Sequence, residues 1–132
     1  MKAVLDTNAY CLCDVGNEAG LSVLEEASSF FLPSIVYGEL YYGFRHGQHF
    51  EKNMKHLEKF LSQFRVEVIN VTTDVARKFG DIYASLRKKG RPIPTNDIWI
   101  AACCMEVGGT LITVDDHFRE VAQIQTRFIQ AS

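Results

Sequence analysis

The chain has 132 residues, 47% hydrophobic and 23% charged, with a formal net charge of −2 from 14 basic and 16 acidic side chains. That length suits one domain over residues 1–132 and buries enough surface to hold together without disulfide staples. No apolar run of about 18 residues exists and Asp6 follows Met1 too closely for a secretion-signal core, which excludes a spanning helix, leaves no membrane partner expected and makes the cytoplasm the expected compartment.

Short β-rich runs alternate with amphipathic patterns, the signature of a parallel sheet layered between helices. Lys2–Leu5 is the predicted first strand, with Asp6-Thr7-Asn8 as turn chemistry at its end. No element is assigned from there to the second strand, Phe30–Leu32. Pro33 and Ser34 open a helix over Ile35–Phe44. Phe50, Met54, Leu57, Leu61 and Phe64 share one face of the next helix. Glu67–Val71 is a third strand, followed by a helix marked by Val75, Phe79, Ile82, Tyr83 and Leu86 and ended by Gly90. Thr95 caps a helix over Asn96–Val107, stopped by Gly108-Gly109. Thr110–Val114 is a fourth strand, a short helix lies near His117–Ala122, and Arg127–Ile129 offers a fifth strand. The expected fold is therefore α/β, three layers around a central, mainly parallel sheet of four or five strands.

Four cysteines occur. Cys11-Leu12-Cys13 is tighter than the usual zinc-ligand spacing. Cys103 and Cys104 sit in the apolar run Ile100–Met105, where free thiols pack as small hydrophobes. Reduced, structural cysteines are expected, while spacing alone leaves open a pairing of Cys11 or Cys13 with Cys103 or Cys104.

Ligands of open α/β sheets bind beyond the carboxyl ends of the strands. Four acids reach that edge by separate routes. Asp6 ends the first strand and Asp115 the fourth; Glu39 lies early in the helix after the second strand, and Asp97 in the first turn of the helix before the fourth. Each has an ordinary explanation alone: a turn residue, a strand-end acid, an exposed glutamate, a dipole-complementing residue at the second helical position. Together they require four coincidences at one edge. Clustered carboxylates repel unless cations neutralise them. Mg²⁺ and Mn²⁺ take oxygen ligands, and two such ions ~3.5–4 Å apart activate water and stabilise the leaving oxygen of a phosphodiester. Two dications held by these acids would turn the net charge of −2 to about +2, so acidity does not argue against a nucleic-acid partner.

These residues resemble a PIN domain, specifically the VapC-type toxin branch from prokaryotic toxin–antitoxin pairs. The resemblance runs from Leu5 to about Val121. It is carried by Leu5-Asp6-Thr7-Asn8, Gly38-Glu39-Leu40-Tyr41-Tyr42-Gly43, Asn96-Asp97-Ile98-Trp99-Ile100-Ala101-Ala102 and Leu111-Ile112-Thr113-Val114-Asp115-Asp116-His117-Phe118, in that order and spacing. It implies a PIN-like α/β/α fold, Mg²⁺- or Mn²⁺-dependent endoribonuclease activity and usually a homodimer. It also implies a partner antitoxin protein whose C-terminal segment occludes the acidic groove. By position, Asp6, Glu39, Asp97 and Asp115 match the four family acids, catalytic and metal-holding. Thr7, Asn8 and Thr113 match small polar residues that support the acids or the attacking water. Asp116 is an extra acid, either an outer supporting residue or a helix cap. In-line attack by a cation-activated water implies products with 5′-phosphate and 3′-hydroxyl ends.

The basic run Arg87-Lys88-Lys89-Gly90-Arg91 either complements a helix dipole or guides an RNA backbone toward Asp97. Tyr37, Tyr41 and Tyr42 read as core or dimer surface before base-stacking groups, His117 as structural, and Trp99 as core. His46, His49 and His56 are too scattered for a metal cluster. Three rivals are weaker. A haloacid-dehalogenase-type phosphatase wants a second Asp where Asn8 stands; a receiver-like or silent acidic binding domain pairs its acids with a late Lys; a structure-specific DNA or RNA nuclease without a toxin role shares the metal chemistry.

Overall fold

Five strands, all pairing in parallel, form one sheet in the computed structural model, which describes residues 1–130; the last two residues of the expected 1–132 domain lie outside that description. In chain order the strands are β1 (Lys2–Leu5), β2 (Ser29–Pro33), β3 (Glu67–Ile69), β4 (Thr110–Thr113) and β5 (Gln125–Phe128). They lie side by side as β3-β2-β1-β4-β5. The connecting helices are α1 (Thr7–Asp14), α2 (Glu18–Glu26), α3 (Ser34–His46), α4 (Phe50–Gln63), α5 (Thr73–Lys88) and α6 (Thr95–Val107), and a 3₁₀ turn over Asp116–Glu120 leads into β5.

Parallel neighbours need a crossover, and the one between β1 and β2 is made by α1 and α2, which the sequence reading misses. Asp6 starts a helix there instead of a turn: its carboxylate accepts the Ala9 N–H at 2.8 Å and caps α1. Asn17 caps α2 in the same way through Ala19 and Gly20. Gly20 lets the two helices close up, since a Cβ there would stand 2.9 Å from the Leu12 and Cys13 backbone.

The order of strand placement reverses across the sheet: crossovers from β1 run toward β3, whereas the return from β3 passes to β4 and β5. Right-handed connections then put helices on both faces. Consecutive residues Ala3, Val4 and Leu5 are wholly buried, as are Leu111 and Ile112, the continuous apolar pattern of a doubly covered sheet. In α6, Ile98 and every residue from Ile100 to Cys104 are buried, so that helix is core on nearly every side. All four thiols are free; Cys13, Cys103 and Cys104 are buried and Cys11 is exposed. Burial pushes Cys103 up to about 11 and Cys104 to about 12, which makes them inert packing groups.

Several predicted boundaries move. Pro94, not Thr95, takes the capping position of α6, because its extended backbone (ψ 143°) turns its carbonyl toward the Asp97 N–H at 3.0 Å. Asp97 is thus the third helical residue, still within the favourable end of the dipole. Gly108, at φ +64°, closes the same helix in the left-handed region. The third strand stops at Ile69, and the predicted short helix after β4 is a 3₁₀ turn. Among the described residues no helix is long and apolar enough to cross a membrane.

Candidate active site

The strand order changes direction between β1 and β4, where Leu5 pairs with Ile112; a crevice at the carboxyl ends of two such strands is where open α/β sheets bind ligands. Asp6 and Thr113 are the residues that this crevice brings together. Asp6 is buried, with 5% exposure, and Thr113 is wholly buried. The Thr113 hydroxyl donates to Asp6 Oδ2 at 2.5 Å and accepts the Asp115 N–H at 2.9 Å. One hydroxyl therefore sets the position of both strand-end acids.

The outer part of the site grows from that point. Asp115 caps the 3₁₀ turn, its Oδ1 accepting the His117 N–H at 2.9 Å. The His117 ring Nδ1 lies 3.1 Å from both Asp97 Oδ2 and Asp115 Oδ1. Asp97, Asp115 and His117 each offer a ligand atom within 4.8 Å of the others. Glu39 arrives on α3, which packs against α1 and α6, and its Oε1 accepts the Thr7 hydroxyl at 2.9 Å.

Asp6 and Asp97 both feel neighbouring acids. Burial is the main cause that raises Asp6 from the usual 3.8 to about 6; the Thr113 and Ala9 hydrogen bonds pull it back, and the charges of Asp115 and Asp97 push it further up. Asp97 is raised by burial first, lowered by its bond to His117, and raised again by Asp115 and Glu39. His117 is raised, chiefly by its bond to Asp97 and then by the Asp115 charge. The donor set is carboxylate and hydroxyl oxygen with one imidazole, and no thiol joins it among the described residues. A hard divalent cation fits it: buried like charges that resist ionisation are relieved by a nearby dication.

The remaining sequence candidates divide. Asn8 is exposed on α1 next to Thr7. Asp116 is exposed and pairs with Arg119 at 2.9 Å, and the cap of the 3₁₀ turn is Asp115 instead. Arg87 and Lys88 occupy the last turn of α5, as the dipole reading expects. Lys89 donates to the Glu120 carbonyl and pairs with its carboxylate at 3.7 Å. Arg91 is exposed and lines a shallow cleft of about 330 Å³ beside His117 and Asp116. His117, expected as a structural residue, has an exposed ring held between Asp97 and Asp115. Tyr37 is half-buried against the core and Trp99 stacks on Phe79 at 3.9 Å, but Tyr42 is not core.

The PIN domain family model matches residues 3–124. Ribonuclease VapC2 of Haemophilus influenzae is 34% identical over 128 residues, covering 94% of this chain and 92% of that protein. The tRNA(fMet)-specific endonuclease VapC of Shigella flexneri is 31% identical, with the same coverage of each chain. Among solved structures, VapBC-1 from nontypeable Haemophilus influenzae superposes with a TM-score of 0.85 at 26% identity, covering 97% of this chain and 98% of that one. DNA-bound VapBC from Salmonella typhimurium gives 0.83 at 28% identity and the same coverage. Matched along nearly its whole length in sequence and in fold, the chain belongs to the PIN domain family, in its VapC ribonuclease branch.

Proposed function

We propose that this protein is a Mg²⁺- or Mn²⁺-dependent endoribonuclease of a single 1–132 domain, acting in the cytoplasm as the toxin of a toxin–antitoxin pair. One observation carries the reading: Asp6, Glu39, Asp97 and Asp115 come from four separate segments, and near the crevice between β1 and β4 Asp97 and Asp115 raise Asp6 while Asp115 and Glu39 raise Asp97. When bound, a hard divalent cation supplies a Lewis acid that activates water and neutralises phosphodiester charge.

The chain's own residues do the rest. Asp6, Asp97 and Asp115 would hold the cation. Thr113 keeps Asp6 and Asp115 in register through one hydroxyl. Thr7 occupies Oε1 of Glu39, leaving Oε2 to orient a water or take its proton. Asn8 stands at the rim as a further polar contact, and Arg91, with the more distant Arg87 and Lys88, supplies cations for the RNA backbone.

RNA as substrate is favoured over DNA by the relatives, which are named ribonucleases and a transfer-RNA endonuclease. A cognate antitoxin is favoured because solved relatives are VapBC complexes, and we assign the active protein as a homodimer, as the family resemblance implies. The test is incubation of the purified protein with RNA, initiator transfer RNA included, in Mg²⁺, in Mn²⁺ and in chelator. Cleavage restricted to the metal lanes, leaving 5′-phosphate and 3′-hydroxyl ends, is expected. Equal cleavage in chelator, or hydrolysis of small phosphate monoesters in place of RNA, would overturn the proposal.

A further inference from the structure

We infer that Tyr42, backed by His46, is a stacking platform for one unpaired base beside the scissile phosphate. The inference rests on the nuclease reading and adds a base-binding residue beside its acids.

Glu39, Tyr42 and His46 stand three and four residues apart on α3, which puts them along one helical face leading away from the acids. The Tyr42 ring is 69% exposed and lies nearly parallel to the His46 ring, at 16° with centroids 6.0 Å apart. Its neighbour is used differently. Tyr41 meets Phe50 edge-on at 5.3 Å, and Arg45 sits over the same Phe50 ring, so those groups tie α3 to α4. Tyr42 has no such anchoring task and keeps a face open.

That face borders a cleft of about 600 Å³ lined by Ser34, Ile35, Gly38, Glu39, Tyr42 and Asn96. The cleft reaches the site acids twice, through Glu39 itself and through Asn96, the residue before Asp97. Gly38 contributes to its openness, since a Cβ there would meet nothing within 4 Å. Charge points the same way. From Leu40 to Phe50 there is no carboxylate, but there are one arginine and two histidines, in a chain whose net charge is −2. No acidic side chain of this stretch repels a polyanion laid against it.

The acids therefore lie between two unlike flanks, the aromatic one at Tyr42 and the cleft that Arg91 and His117 share. A strand crossing both offers its phosphates to Arg91 and a base to Tyr42. Bases within a duplex already stack on their neighbours, and in A-form RNA only splayed, unpaired bases reach an aromatic face. A protein segment is the less suited occupant, because Ile35 is the one aliphatic side chain in the lining.

The test uses a short RNA with an unpaired cut site. For Y42A, KM should rise about five- to 150-fold, with kcat moving far less. Y42F, which keeps the ring, should recover most of that affinity. An abasic nucleotide at one position beside the cut should cost the wild type the same factor and cost Y42A nothing more. An unchanged KM for Y42A, or abasic penalties that multiply with the substitution at every position, would overturn the stacking role. So would a Y42A protein whose only defect is a lost dimer or antitoxin contact. Binding of intact RNA to Asp6→Asn repeats the comparison without cleavage, so failure of the wild type to cut RNA is read apart from failure of the platform.

Discussion

At the ends of β1 and β4, Asp6 is buried and held by a backbone N–H and a buried hydroxyl, whereas further out Asp97 and Asp115 meet His117 in partial contact with solvent. The inner half owes its geometry to the sheet: Asp6 cannot move without disturbing the start of α1, and Thr113 cannot move without disturbing β4. The outer half is held by side-chain charges that water screens and protons rearrange. Position is built into the backbone inside, and adjustment is left to the rim. The two halves should therefore answer differently to substitution, to pH and to salt.

The largest contrast comes from Asp6→Asn. Activity should fall by at least about a hundredfold, because a neutral amide replaces a carboxylate proposed to hold the cation. The helix cap survives, since Asn caps as well as Asp. Stability without metal should move in the opposite direction. The folded protein raises Asp6 from 3.8 to about 6, so the protonated form is favoured on folding. Its stabilising contribution is complete below pH ~3.8 and is lost as pH climbs through about 6, which at neutral pH amounts to at most about 3 kcal/mol. Denaturant unfolding in chelator should show Asp6→Asn gaining on the wild type between pH 4 and pH 7.5. If the gap stays constant, burial of Asp6 is not the strain described.

The outer half gives a smaller, pH-dependent effect. His117 is raised by Asp97 and Asp115, so its ion pairs hold below its folded pKa and fade as pH rises through it. While charged, the imidazolium occupies the same oxygens that a divalent cation needs. Mg²⁺ affinity should therefore increase with pH above about 6.5. His117→Ala should flatten that rise and strengthen Mg²⁺ binding at pH 6 by about two- to fivefold, the range expected of an exposed pair. Titration calorimetry at pH 6 and 8 measures it; a steeper pH dependence in the variant would reverse the assignment.

The same division explains what could be read in advance. Asp6, Asp97 and Asp115 stood out as candidates because each lies at the start or end of an element whose apolar pattern is strong, Glu39 because it lies early in the helix after β2, and strand-end residues of a parallel sheet share one edge. The sheet was legible for the same reason. The helices α1 and α2 were not: they are only eight and nine residues long, and the capping role of Asp6 and Asn17 looks identical to turn chemistry in a bare sequence. The need for a crossover between parallel strands was the overlooked constraint. His117 was missed because its role depends on a side-chain meeting with Asp97, 20 residues away, which no local pattern encodes. Tyr42 and Tyr41 were indistinguishable by spacing; only the position of Phe50 separates them.

The smallest effect probes the rim's far edge, where two cations of one run have different surroundings. Lys89 is committed to Glu120, while Arg91 faces the cleft beside His117. If Arg91 touches one phosphate of a single strand, Arg91→Ala should lower the slope of log K against log salt by ~0.7. Lys89→Ala should leave that slope nearly untouched, because its ammonium already has a carboxylate partner. Filter binding of uncleaved RNA to the Asp6→Asn background, from 50 to 300 mM salt (roughly a twofold span in screening length), resolves a change of that size. A larger change at Lys89 than at Arg91 would mean that the RNA displaces Glu120 and that the strand runs along the end of α5 instead of across the cleft.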